Sequence, residues 1–229
     1  MDAFEAWLEH LFDREPGEFE PVPWYIGDGR PTQWTLRYEQ GDTAVAQAER
    51  IRRLFAGAGA LLRPYSDEQV GYGLDAIVYS AGGDIRVLGD GRVPATLRAA
   101  GLRSMVTLFA EVFAPRLRAA RPGYAPPWGP YEPGRRSHRL DYVCYMFWDI
   151  APIVPRREDT VREVLKVLEA TLALDSAACQ RAALHGLGHW QYAAPDEVRR
   201  IIRSWLEGHP QAPDELRAYA VQASAGAVQ

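Results

Sequence analysis

Apolar residues recur every three or four positions along most of this chain, the spacing that places them on one face of an α-helix. The clearest case runs from Val198 to Trp205, where the apolar residues share one face and arginines lie opposite. Similar patterns predict helices over 3–12, 42–55 and 142–151, and helices that begin near Ser66, Pro94, Thr160, Ser176, Pro195 and Pro213. Short connectors between these segments favour an all-α fold with antiparallel neighbours.

Local signals refine several of these predicted helices. Ser66 and Gln69, and likewise Thr160 and Glu163, have the spacing of a capping box, in which the two side chains bond to each other's backbone N–H groups. Asp141 is expected to cap the helix over 142–151, and either Asp175 or Ser176 is expected to cap the helix that begins near Ser176. Between two glycine-bearing turns, residues 84–88 are expected to be extended.

Two long irregular segments interrupt the helical pattern. Residues 14–41 are an aromatic-rich arm, which we expect to pack on the helical body. Residues 115–137 are a Pro/Arg-rich loop, interpreted either as a mobile connection or as a lid or contact loop. Its candidate contact residues are Tyr124, Trp128, Tyr131, Arg135 and Arg136. Residues 1–229 together are predicted to form one helical domain.

Composition narrows the classes of partner and the compartment. The 229 residues carry a net charge of −4, so no overall positive charge attracts nucleic acid or an anionic membrane. No apolar stretch approaches the roughly 20 residues that span a bilayer. Arginine replaces lysine almost throughout, which suggests a GC-rich bacterial genome. We therefore expect a cytoplasmic bacterial protein with a protein partner, and two buried, reduced cysteines, Cys144 and Cys179.

The candidate chemistry centres on two histidines. His185 and His189 are four residues apart, so both project from one side of their helix, as paired metal ligands do. No third ligand is adjacent in sequence; His138, Asp141 and Asp149 are possible remote ligands. We expect that this site binds no metal. We expect both imidazoles to lie at a seam, a contact between two helices, where each forms a hydrogen bond with a carboxylate or a backbone carbonyl. The alternative is a metal site.

Asp149 is the anomalous residue of the apolar segment 142–151. We expect it to be buried and paired with an arginine, with His185 or His189, or with the start of a helix, because an unpaired buried carboxylate is very costly. The alternative is a catalytic or ligand-binding acid. Gly186 and Gly188 suggest a close neighbour, which we expect to be the Asp149 helix.

A resemblance is carried by residues 178–206, ACQRAALHGLGHWQYAAPDEVRRIIRSWL. This segment resembles a HEAT-like, armadillo-type helix pair, with an Ala/Leu-rich first helix, a proline turn and a second helix with paired β-branched residues. Through residues 64–74, 143–149 and 172–190 the whole chain also resembles an uncharacterised group of bacterial proteins. The resemblance implies an irregular α-α superhelix with HEAT-like antiparallel pairs, strongest in the C-terminal half, and implies no activity.

No sequence motif names a reaction: there is no G-x-S-x-G elbow, no phosphate-binding loop and no Cys-x-x-Cys pair. The leading hypothesis is therefore a non-enzymatic interaction or scaffold protein without a cofactor, using a concave helical face or the 115–137 loop. One alternative is a metal-dependent or acid/base enzyme centred on His185, His189 and Asp149. Another is an immunity or antitoxin-type protein.

Overall fold

The computed structural model of the protein describes residues 2–13, 43–78, 84–119 and 138–228. Within these ranges the helices are α1 (Ala3–Phe12), α2 (Ala44–Ala56), α3 (Ala58–Leu61), α4 (Asp67–Val78), α5 (Ala95–Leu108), α6 (Ala114–Arg116), α7 (Arg139–Ile150), α8 (Glu158–Leu172), α9 (Ala177–Trp190), α10 (Pro195–Gly208) and α11 (Asp214–Ser224). A π-helical turn, Phe109–Phe113, joins α5 to α6. The same ranges contain no strand, so the all-α class is confirmed; the HEAT-like type stays a prediction.

Side-chain caps fix several helix starts as the sequence indicates. The Ser66 hydroxyl accepts a hydrogen bond from the Gln69 backbone N–H, and the Gln69 side chain accepts one from the Ser66 N–H, so this capping box is confirmed. Ser176 caps α9 by accepting from the N–H of Cys179. These bonds satisfy N–H groups that the first turn of a helix leaves without a partner.

Three local predictions are wrong. Thr160 lies inside α8, and Glu163 pairs instead with Arg103 and Lys166, so that capping box does not form. Asp141 is buried in the first turn of α7, whose cap is His138. The segment expected to be extended is a 3₁₀ helix, Asp84–Gly89. Ile85, Val87 and Leu88 are buried within this helix, and short 3₁₀ helices are common as connectors between longer elements.

The two irregular segments lie almost wholly outside the described residues. The aromatic arm, 14–41, does so entirely, as do Tyr124, Trp128, Tyr131, Arg135 and Arg136 of the predicted contact loop. The loop's predicted start at residue 115 is wrong, because α6 continues to Arg116. Arg116 donates to the carbonyls of Leu62 and Tyr65 and pairs with Asp67, which ties the end of α6 to the start of α4.

Helix α9 is the centre of the C-terminal half. It packs against α7, α8, α10 and α11, and ten of its residues are buried. Alanine and glycine occupy five of these ten positions, which lets neighbouring helices approach the axis of α9 closely. The buried side chains of α9 are therefore held by packed helices, while His189 lies at a partly exposed edge of the helix.

The N-terminal half joins this centre through α5 and α7. Helix α5 packs on α2 and α8, while α7 lies between α4 and α9. The buried Arg98 of α5 reinforces the contact with α8 by donating to Asp159 at 2.6 Å. No helix of the described residues is both long and apolar enough to cross a membrane.

Gly186 marks the closest approach between α9 and its neighbours. A Cβ atom placed on Gly186 would lie 2.6 Å from Leu168 Cδ2 and 2.7 Å from Trp148 Cγ. Trp148 precedes Asp149 on α7, so the expected neighbour is confirmed for Gly186. At Gly188 the expectation is wrong, because its neighbour is Val228 of the C-terminal segment.

We expect Gly186→Ala to destabilise the protein by about 1–3 kcal/mol, because the added methyl overpacks the contact with Trp148 and Leu168. Gly208→Ala is the matched control, since a Cβ there meets no atom within 4 Å; it should be neutral or gain up to about 1 kcal/mol in helix propensity. Urea unfolding of both variants measures the difference. Equal stabilities would contradict the close approach.

Candidate metal-binding site

Two neighbouring helices bring the three polar candidates of the sequence together. His185 and His189 of α9 have their Nε2 atoms 3.1 Å apart, and His189 Nε2 lies 3.5 Å from Asp149 Oδ1 of α7. One ligand-type atom from each of the three residues lies within 4.8 Å of the other two. We call these three residues the His-His-Asp cluster. The other proposed remote ligands, His138 and Asp141, lie at the opposite end of α7.

The His-His-Asp cluster opens to solvent on one side. His185 is 1% exposed, whereas the side chains of His189 and Asp149 are 34% and 39% exposed. The expected burial of Asp149 is therefore wrong. Asp149 is partly exposed although its neighbours in sequence are nearly all apolar. The buried face of α7 carries Leu140, Val143, Cys144, Phe147 and Trp148, and Asp149 lies beside that face.

The buried end of the cluster is a chain of hydrogen-bonding groups. His185 Nδ1 lies 2.6 Å from the hydroxyl oxygen of Tyr219 on α11. That oxygen lies 3.0 Å from the hydroxyl of Tyr145, one turn before Asp149 on α7. Because both ring nitrogens of His185 have partners, its imidazole is fixed in orientation between three helices.

Arg181 adds a positive charge one helical turn before His185. Its guanidinium carbon lies 4.6 Å from the ring centroid of Tyr145 and 5.5 Å from that of Tyr219, a cation–π arrangement with both rings. Both rings also contact His185. The sequence analysis did not identify Arg181, Tyr145 or Tyr219 as site residues.

The protonation states follow from this environment. Burial, together with the nearby charges of His189 and Arg181, lowers the pKa of His185 to about 3. Burial and the hydrogen bond with Tyr145 raise the pKa of Tyr219 above its ordinary value. At neutral pH His185 is therefore a neutral imidazole, the form that binds a metal ion, and Tyr219 keeps its proton.

The spacing of the cluster suits a small divalent ion. Ligand atoms about 2.0–2.1 Å from a tetrahedral zinc ion lie about 3.3–3.4 Å from one another. The contacts of His189 Nε2, at 3.1 Å to His185 Nε2 and 3.5 Å to Asp149 Oδ1, bracket this separation. Neither cysteine contributes a ligand, since Cys144 and Cys179 are both free thiols buried elsewhere in the α7–α9 contact.

A groove of about 490 Å³ lies apart from the cluster, between the start of α8 and the turn before α10. Val161 and Leu165 supply its apolar lining, and its rim carries side chains of both charges. Two of its acids, Glu169 and Glu197, are paired with Arg200. Because its rim carries both charges, the groove favours neither an anionic nor a cationic ligand. The His-His-Asp cluster is therefore the stronger candidate site.

Comparisons with protein-family models, curated proteins and solved structures find no match to this chain. The resemblance to HEAT-like helix pairs therefore stays a prediction. What the protein does has to be argued from the geometry of the His-His-Asp cluster.

The low pKa of His185 predicts how the metal-free protein responds to acid. Because the folded-state pKa, about 3, lies below the unfolded value of about 6.5, folding excludes a proton. The contribution of neutral His185 to the free energy of unfolding is fully present above pH 6.5. As the pH falls from 6.5 toward 3, this contribution is lost by about 1.4 kcal/mol per pH unit. His185→Asn cannot titrate, so its free energy of unfolding should fall less steeply with acid than that of the wild type.

Urea unfolding in a chelating buffer at pH 7.5, 6.5 and 5.5 measures this effect. The stability difference between the wild type and His185→Asn should narrow as the pH falls below 6.5. Parallel pH profiles for the two proteins would show that burial does not depress the His185 pKa.

Proposed function

We propose that the protein binds a divalent transition-metal ion of the zinc class through His185 Nε2, His189 Nε2 and the Asp149 carboxylate, and that it acts as a metal-dependent enzyme. The observation that carries this proposal is the convergence of two imidazoles and one carboxylate within 4.8 Å. The expectation of a metal-free seam rested on the missing third ligand near the histidines. Asp149, one of the possible remote ligands, supports a metal site because it lies 3.5 Å from His189 Nε2 on the adjacent helix.

The nature of the ligands favours zinc or a similar borderline ion. Imidazole nitrogen is the ligand that zinc, copper, iron and nickel share, whereas calcium and magnesium prefer oxygen ligands alone. A single carboxylate beside two neutral imidazoles leaves one positive charge on a bound divalent ion. That residual charge can polarise a substrate.

The partial exposure of the cluster favours catalysis over a purely structural ion. Structural zinc sites are closed by four protein ligands, whereas catalytic sites use three and keep a position for water or substrate. Here the described residues supply three ligands, and His189 and Asp149 border solvent. The ion would supply Lewis-acid chemistry, and metal-assisted hydrolysis is the reaction class that suits an ion without redox chemistry.

Helix packing supports the proposal by holding the ligands in place before an ion binds. Asp149 follows Trp148, which packs directly on the backbone at Gly186, between the two histidines. His185 is further held by Tyr219. Ligands on rigid, packed helices lose little freedom when they bind an ion, which favours affinity.

The scaffold and the immunity or antitoxin hypotheses stay predictions. The scaffold hypothesis depended partly on the 115–137 loop, whose aromatic residues lie outside the described part of the chain. No observation in the described helices identifies a protein partner.

Zinc affinity, measured by titration calorimetry on chelator-treated full-length protein, tests the proposal. We expect His189→Ala and Asp149→Asn each to weaken zinc binding by about 100-fold or more, because even the outer partners of metal ligands contribute 10–100-fold. Both residues are half-exposed, so the fold should survive either change.

Matched controls separate ligand loss from general effects. His10→Ala changes a histidine on α1, which packs on α4, and Asp196→Asn changes an exposed acid of α10. Both controls should bind zinc like the wild type. A wild type that binds zinc no more tightly than His189→Ala would overturn the proposal.

A further inference from the structure

We propose that Tyr219 is a positioning residue that holds His185 in its Nδ1–H tautomer, through hydrogen bonds that all run in one direction from His189 to Tyr145. This places the His185 Nε2 lone pair toward the His-His-Asp cluster before any ion binds. The consequence for metal affinity rests on the proposed function, whereas the tautomer itself does not.

The direction of the chain is set at its exposed end by Asp149. His189 Nε2 lies between two groups, Asp149 Oδ1 at 3.5 Å and His185 Nε2 at 3.1 Å. A carboxylate oxygen accepts hydrogen bonds, and it repels a nitrogen lone pair that faces it. His189 Nε2 therefore carries a hydrogen, which it donates within the cluster.

The proton on His185 is then assigned by elimination. Since His189 Nε2 is the donor, His185 Nε2 is the acceptor of the 3.1 Å bond. A ring nitrogen that accepts a hydrogen bond carries no hydrogen, so the single N–H of this imidazole is on the other ring nitrogen. That hydrogen is on Nδ1, where it is donated to the Tyr219 oxygen at 2.6 Å.

The two tyrosines complete the chain. Because the Tyr219 oxygen accepts from His185, its own hydrogen is free to point toward the Tyr145 oxygen at 3.0 Å. Arg181 lies over both rings and holds them beside His185. The groups that face His185 are thus Tyr145 from α7, Arg181 and His189 from its own helix, and Tyr219 from α11.

This arrangement prepares the site for a metal ion. An Nδ1–H imidazole presents a free Nε2 electron pair, so His185 needs no change of tautomer to become a ligand. Only His189 must change to its Nδ1–H tautomer, by losing the hydrogen on Nε2 and gaining one on Nδ1 from solvent, to bind an ion through Nε2. Hydrogen bonds that fix the tautomer and the ring orientation of a metal-bound histidine typically contribute 10–100-fold to affinity.

Two measurements on the full chain test the inference. Nitrogen-15 NMR of the metal-free protein at pH 7.5 should show His185 with a protonated Nδ1 and an unprotonated Nε2. Tyr219→Phe removes the acceptor and should shift His185 toward the Nε2–H tautomer, with a 10–100-fold weaker zinc affinity in calorimetry.

Tyr192→Phe is the matched control, because Tyr192 lies three residues after His189 with 73% of its surface exposed. It should leave both the tautomer and the zinc affinity unchanged. Tyr145→Phe removes the acceptor of the Tyr219 hydrogen, which does not contact His185 by a hydrogen bond, and should have a smaller effect than Tyr219→Phe. Circular dichroism of each variant checks that the helices are intact.

The outcomes separate this inference from the proposed function. An Nε2–H tautomer of His185 in the wild type would overturn the inference without any variant. If the wild type binds zinc and Tyr219→Phe binds it equally well, the positioning role fails and the metal site stands. If the wild type does not bind zinc, the proposed function fails, and the NMR measurement still decides the tautomer.

Discussion

The close approach of α7 and α9 at Gly186 is the constraint on which the rest of the site depends. With no Cβ at this position, the Trp148 ring and the Leu168 side chain pack directly on the α9 backbone. This contact also sets the distance between α9 and the residues of α7 near Trp148. Asp149 thereby reaches His189, and Tyr145, one turn earlier, reaches His185. A larger residue at 186 would separate both pairs.

At this contact the neutral polar group lies in the interior and the charged groups lie nearer the solvent. The fully buried imidazole is neutral, and its hydrogen-bonding atoms face other protein groups. The carboxylate, which would be costly to bury, is at the exposed edge. The guanidinium of Arg181 stacks on tyrosine rings instead of entering the core. Such an arrangement lets a polar cluster exist within an apolar helix contact at modest cost in stability.

Sequence periodicity predicted the helices and their caps well where the signal was local. The Ser66 capping box formed as expected, and of Asp175 and Ser176 it is Ser176 that caps α9. The Thr160 box failed because α8 begins earlier, at Glu158, and the Glu163 side chain pairs with Arg103 and Lys166. Asp149 was expected to be buried because its neighbours are apolar, yet burial follows which face of α7 meets α4 and α9.

The sequence by itself determined that the chain is helical and that His185 and His189 share one side of a helix, since both follow from spacing within a single element. The same spacing rule could have pointed to Arg181 and Tyr145, each one turn from a recognised residue. Only the tertiary structure decided that Asp149 would lie beside His189 and that Tyr219, 34 positions beyond His185, would be the hydrogen-bond partner of His185. Such contacts depend on how separate helices pack, and no local pattern in the chain encodes that.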